Sequence, residues 1–164
     1  MVIEQLKPLK IYLDTTIISY LDQHDSPDKK ADTHKFWDRI KAGQYNVYIS
    51  RVTLDEINKC HEPKKTVLLN YLNEVEYQFV EITRDTEEVA NKFIESHILT
   101  MKSIDDCRHI ACSIVGGCDI IASWNFKHIV NYKTINGTKL VSLLTGYKEI
   151  SIYTPTMLIA GEES

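Results

Sequence analysis

The chain lacks any apolar run approaching the ~20 residues that a membrane span requires, so no membrane association is expected. It also lacks the apolar centre of a signal peptide. The opening MVIEQLKPLKIYLD passes from mixed charge straight into a strand pattern, which argues against export and for a cytoplasmic protein. No C-x-x-C pair occurs among Cys60, Cys107, Cys112 and Cys118, so neither a zinc site nor a disulfide framework is indicated, and reduced, mostly buried thiols are expected. Positive charge is in deficit too: 19 Lys and Arg against 23 Asp and Glu leave −4. Such a balance gives no broad basic face, so a nucleic-acid substrate must be attracted by local Lys and Arg groups and by bound cations. No repeat, low-complexity tract or Pro/Gly/Ser-rich linker divides the chain, and residues 1–164 are read as one domain. No G-x-G-x-x-G follows the first strand, and Gly116-Gly117 ends a helix instead of opening one, which disfavours a dinucleotide site.

What is present is an alternation of strand and helix patterns. LKIYLDTTIISYLD begins as a strand over Lys10 to Leu13 and continues into a short helix carrying Ile17, Ile18 and Leu21, which leaves Asp14 at the carboxyl end of the strand. Residues 30–42 form a surface helix with Phe36, Trp37 and Ile40 on its buried stripe; YNVYIS is a strand; and RVTLDEINKC is a helix begun near Thr53, with Glu56 on its first turns. KKTVLLNYLNEV and DTEEVANKFIESHIL read as helices around the strand YQFVEIT. A helix from Ser103 to about Val115 then hands over at Gly116-Gly117 to the strand CDIIAS, followed by WNFKHI as a short helix, GTKLVSLLTGY as another and ISIYT as a last strand. Strands separated by helices imply an α/β fold with a mainly parallel central sheet covered on both faces, whose ligand lies outside the carboxyl ends of the strands. Asp14 points to that edge.

Asp14, Glu56 and Asp106 each sit at a strand end or on a helix that follows or precedes one. Convergent carboxylates repel, and a bound cation or protonation makes their approach tolerable. Oxygen ligands favour Mg²⁺ or Mn²⁺ over zinc, and the matching chemistry is phosphoryl hydrolysis. Each acid also has a plainer reading. Asp14 can be an N-cap, Glu56 can favour the helix dipole, and Asp106, three residues after Ser103, can complete a capping box. Asp106 and Ile110 are four apart on one helix face, whereas Asp105 reads as a solvated helix-start charge. Asp119 begins its strand, which puts it near the opposite edge of the sheet in a structural role. His109, inside an apolar helix, reads as a hydrogen-bonded packing residue.

In order and composition the stretches IYLDTTIISYLD, YISRVTLDEI and DDCRHIACSIVGGCDIIASWNFKHI, with the tail INGTKLVSLLTGYKEISIYTP, resemble the PIN-domain nucleases and, within them, the VapC-like toxins of toxin–antitoxin systems. The resemblance spans nearly the whole chain. It implies a PIN-like α/β/α sandwich and divalent-metal-dependent cleavage of RNA, with Asp14, Glu56 and Asp106 as metal ligands and catalytic groups. It further implies an antitoxin protein as partner and frequent homodimerisation. Where many members have an acid in the fourth motif, this chain has Ser123-Trp124-Asn125, and Asn125 can offer an amide oxygen or hold a water but no charge. Thr15 and Ser123 are candidates for orienting the carboxylates, and Arg108, Lys127 and His128 for contacting RNA phosphates; ordinary packing or solvation is the alternative for each. Two further readings compete with the ribonuclease. One is a catalytically silent PIN-like module that binds RNA or protein, suggested by Asn125; the other, weaker, is an aspartyl-nucleophile phosphatase, suggested by LDTTI.

Overall fold

The computed structural model describes residues 7–161. Five strands, β1 (Leu9–Leu13), β2 (Tyr45–Ser50), β3 (Gln78–Val80), β4 (Ile120–Ala122) and β5 (Ser151–Tyr153), form one sheet in the order β3-β2-β1-β4-β5, every pair parallel. Parallel neighbours cannot be joined by tight turns, so the helices lie between them: α1 (Thr15–Tyr20), α2 (Pro27–Lys41), α3 (Arg51–Asn58), α4 (Lys64–Leu72), α5 (Arg84–Glu95), α6 (Ile104–Val115), α7 (Tyr132–Thr145) and α8 (Pro155–Ile159).

Strand side chains alternate between the two faces, and that alternation builds two cores. Tyr12 and Ile121 pack on one face with Val89 and Phe93 of α5 and Ile110 of α6, whereas Ile11, Leu13, Ile120 and Ala122 pack on the other with Ile17, Trp37, Ile49 and Leu68. Burying each such large apolar side chain contributes about 1.5–3 kcal/mol. This is the expected α/β/α sandwich. Among the described residues no helix is long and apolar enough to cross a membrane.

The chain runs from β1 to β2 on one side, adds β3 beyond it, and returns to the far side of β1 for β4. The connections leaving β1 and β4 therefore part company at their carboxyl ends, opening the crevice in which such sheets hold ligands. Gly117, at φ +71°, supplies the left-handed turn that carries α6 into β4. Gly137 has a different reason: a Cβ built there would lie 2.6 Å from side-chain atoms of Ile98, so glycine lets α7 close onto the residues that follow α5.

Three local expectations are corrected. The expected helix over WNFKHI is a turn, because the Asn125 side chain accepts from the His128 backbone N–H at 3.0 Å, while the Trp124 backbone N–H is taken by the Thr16 hydroxyl at 2.8 Å. The next helix starts at Tyr132, five residues before Gly137, because Asn131 caps it through the Thr134 N–H at 2.9 Å. The helix carrying Glu56 begins at Arg51, capped by Ser50, so Glu56 lies on its second turn.

Candidate active site at the carboxyl edge of the sheet

Asp14 follows β1 directly and is 2% exposed. It caps α1, as the plainer reading holds, but the cap uses one carboxylate oxygen: Oδ1 accepts from the Thr16 N–H at 3.0 Å and from the Thr16 hydroxyl at 2.5 Å. Oδ2 accepts from the Ser123 hydroxyl at 2.5 Å across the gap from β4. Burial nevertheless pushes the Asp14 carboxyl above its ordinary value, with the charge of Glu56 adding to the rise; His109, Ser123 and Thr16 oppose it without cancelling it. An N-cap on a solvated helix end needs no such burial.

Asp106 lies on the first turn of α6, next to the exposed Asp105. Ser103, at the N-cap, makes no side-chain capping bond, so Asp106 completes no capping box. Its Oδ1 accepts instead from the Asn125 amide at 3.1 Å. Burial is the main cause that raises the Asp106 carboxyl, and the charges of Asp14 and Glu56 raise it further against the pull of His109 and His128. The charge of Glu56 therefore bears on both aspartates, and that of Asp14 on Asp106.

Asn125 is held from both ends. The His128 backbone N–H can only donate, so the atom facing it is the amide oxygen, which turns the amide nitrogen toward Asp106. The Asn125 N–H donates to the Ser123 hydroxyl at 2.9 Å, so one loop fastens Asp14 through Ser123 and Asp106 through Asn125. In this arrangement the Asn125 oxygen is committed to its own loop. The side chain orients Asp106 where a fourth carboxylate would repel it.

Glu56 is drawn into a chain of buried groups that sequence reasoning missed. His109 Nε2 lies 2.5 Å from Glu56 Oε1; a carboxylate only accepts, so the proton is on Nε2. His109 Nδ1 faces the Tyr12 hydroxyl at 2.6 Å, and that hydroxyl meets Ser50 Oγ at 2.7 Å. With a neutral imidazole the directions agree: Ser50 donates to Tyr12, Tyr12 to His109 and His109 to Glu56. Thr15 donates to the same Glu56 oxygen at 3.1 Å. Burial alone would lower the His109 pKa, but the hydrogen bond and charge of Glu56, with Asp14 and Asp106, outweigh it and raise the imidazole above its ordinary value. The available signal was position: His109 stands three residues after Asp106, on the same helix face.

The basic candidates divide. Arg108 is engaged, with Nε 2.8 Å from Glu87 and Nη1 3.0 Å from Asp105. Lys127 is exposed in the loop after Asn125, and His128 is half-buried, its Nδ1 3.5 Å from Ser103 Oγ. A shallow cleft of about 270 Å³ borders the cluster, lined by Val52, Asp55, Glu56, Lys59, Asp105 and Arg108. A larger cleft of about 790 Å³ lies at the amino ends of β2 and β3, away from these acids.

The carboxylates suit a hard divalent cation in kind, since every donor is oxygen and both Asp14 and Asp106 carry a burial penalty that a cation would relieve. Among the described residues, no three His, Cys, Asp or Glu side chains are gathered at ligand spacing. Glu56 is tied to His109, so Asp14 and Asp106 are the carboxylates that would be left to a cation such as Mg²⁺, which ordinarily takes one or two carboxylates and completes its shell with waters.

Comparison with known proteins adds three findings. The family model described as PIN domain matches residues 11–127. The solved structure of VapC20 from Mycobacterium tuberculosis, a toxin that cleaves the sarcin–ricin loop, is similar at 18% identity with a TM-score of 0.53, covering 68% of this chain and 87% of that one. VapBC2 of Rickettsia felis, solved bound to a DNA fragment from its promoter, is similar at 13% identity with a TM-score of 0.58, covering 89% of this chain and 98% of that one. No curated relative matches in sequence.

Proposed function

Since the chain belongs to the PIN domain family, we propose that it is a divalent-metal-dependent endoribonuclease, the toxin half of a toxin–antitoxin pair, acting in the cytoplasm. The observation that carries this reading is the burial of Asp14 and Asp106 at the crevice beyond β1 and β4, with the charge of Glu56 bearing on both. Asp14 and Asp106 would hold Mg²⁺ or Mn²⁺, with Glu56 reached through a water, and such a cation would supply charge neutralisation at the scissile phosphate.

The protein's own groups have separate tasks. Ser123 and Thr16 keep Asp14 in one orientation, and Asn125 does the same for Asp106. Glu56, with its side chain 36% exposed, takes the proton of the attacking water on the oxygen that His109 leaves open. Thr15 and His109 fix the other oxygen. The turn after Asn125 would offer Lys127 and His128 to RNA phosphates. The similarity to VapBC2 supports an antitoxin protein as partner, and the proposed working form is a homodimer.

The test is cleavage of a panel of structured and single-stranded RNAs with Mg²⁺ or Mn²⁺. Cutting by the natural chain, lost in Asp14→Asn and Asp106→Asn, supports the ribonuclease. A silent binding module is the second reading, favoured by the amide at Asn125 in place of an acid. Absence of cutting together with absence of Mn²⁺ binding would select it.

A further inference from the structure

We propose that Phe126 and Lys29, held against the rings of Trp124 and Tyr20, form a subsite for single-stranded RNA beside the carboxylates, in which the open Phe126 ring stacks a nucleobase and Lys29 takes the neighbouring phosphate. The proposal deepens the ribonuclease reading and rests on it for the identity of the ligand. Three aromatic rings come together from two separate parts of the chain. Tyr20 ends α1 with its ring centroid 5.6 Å from that of Trp124, and the Phe126 centroid lies 6.3 Å from that of Trp124. Lys29, from α2, places its ammonium 5.1 Å from the Phe126 centroid and 5.7 Å from the Trp124 and Tyr20 centroids.

The three rings differ in how firmly they are held. Trp124 is 5% exposed, and its indole N–H donates to the Thr33 hydroxyl at 2.9 Å, so it is a fixed floor. Phe126, by contrast, is 48% exposed. Among the described residues Lys29 makes no ion pair, although acidic residues outnumber basic ones in this chain. A cation held over rings and left without a carboxylate is complementary to a phosphate, and an open ring beside it is complementary to a base. Aromatic stacking beside cations that follow the backbone is how proteins grip single strands.

Position ties the cluster to the reaction. Trp124 and Phe126 flank Asn125, which holds Asp106, and the Trp124 N–H donates to the same Thr16 hydroxyl that donates to Asp14. Tyr20 is six residues along from Asp14, roughly 9 Å at the helical rise. A strand whose phosphate reaches the carboxylates therefore passes the rings with an adjacent nucleotide. A purely structural cation–π cluster would alter stability when removed and leave RNA affinity unchanged.

The test uses a single-stranded RNA oligonucleotide containing 2-aminopurine, titrated into the full chain in EDTA over a series of salt concentrations, with melting temperature as the folding control. Quenching of the probe by the natural chain is expected. Phe126→Ala is expected to bind about five- to a hundredfold more weakly with the salt dependence retained. Lys29→Met is expected to reduce the slope of log affinity on log salt by about 0.7, the share of one phosphate contact on a single strand, with Lys29→Arg retaining it. No quenching by the natural chain, or folded Phe126→Ala and Lys29→Met proteins that bind like it, would overturn the subsite. Cleavage read separately distinguishes the two ideas. Mn²⁺-dependent cutting with an unchanged KM in Phe126→Ala removes the subsite and leaves the ribonuclease, whereas quenching without cutting removes the ribonuclease and leaves the RNA subsite.

Discussion

Asp14 and Asp119 stand at opposite ends of the same pair of strands, and the fold treats them in opposite ways. Asp119, before β4, accepts from the Lys10 backbone N–H at 2.8 Å and pairs with Lys148 at 2.7 Å, and the Lys148 hydrogen bond, followed by that of Lys10, lowers its carboxyl below the ordinary value. Asp14, after β1, is buried beside other acids and its carboxyl is raised. At the amino edge a carboxylate is stabilised by what surrounds it; at the carboxyl edge several are kept at a cost in stability. Each edge carries a carboxylate, but Asp119 already has its cation in Lys148, whereas Asp14 carries a burial penalty that a cation would relieve.

Four changes break or sharpen that contrast. The largest effect falls on cleavage: Asp14→Asn should lose on the order of 10²–10³-fold in rate, the scale for removing one preorganised electrostatic group, while Asp119→Asn cuts RNA at the natural rate, as measured by initial rates with Mn²⁺. Next comes the relay behind Glu56. Tyr12→Phe removes the hydroxyl between Ser50 and His109, leaving buried polar atoms without their partner, and should cost about 1–3 kcal/mol in urea unfolding. A subtler effect appears in pH titration of stability in EDTA. Asp14 and Asp106 have raised folded pKa values, so the folded state holds their protons more tightly, and stability should fall as pH rises from about 4, the unfolded value, through the raised folded values. Asp14→Asn flattens that fall if the contrast is correct, and an unchanged slope contradicts it. The smallest change is Asp119→Asn. Its lowered pKa stabilises above the unfolded value and is lost as pH falls through the folded one, and because the pair is largely solvated the variant should cost less than about 1 kcal/mol at neutral pH.

Much of this edge was legible in the sequence because strand and helix periods determine which residues end where. Strand β1 closing at Leu13 puts Asp14 in the crevice, and Gly116-Gly117 terminates α6 between Asp106 and β4. The sandwich follows from the same alternation. What could not be read depends on long-range partners. His109 looks like packing until Tyr12 and Glu56, 97 and 53 residues away, are brought to its two nitrogens. The turn after β4 was mistaken for a helix because its pattern permits one, and the competing hydrogen bonds come from Thr16 and from the Asn125 side chain. Asn125 itself could be recognised as a departure from the family pattern, but its grip on Asp106 required the His128 backbone to fix which way the amide points. Lys29 and Trp124 share no local signal.

The most direct measurement of the central claim is Mn²⁺ binding followed by electron paramagnetic resonance, comparing the natural chain with Asp14→Asn, Asp106→Asn and Asp119→Asn. The account predicts binding to the natural chain and to Asp119→Asn, with strong weakening in the other two. Equal binding by all four proteins, or none by the natural chain, would contradict it.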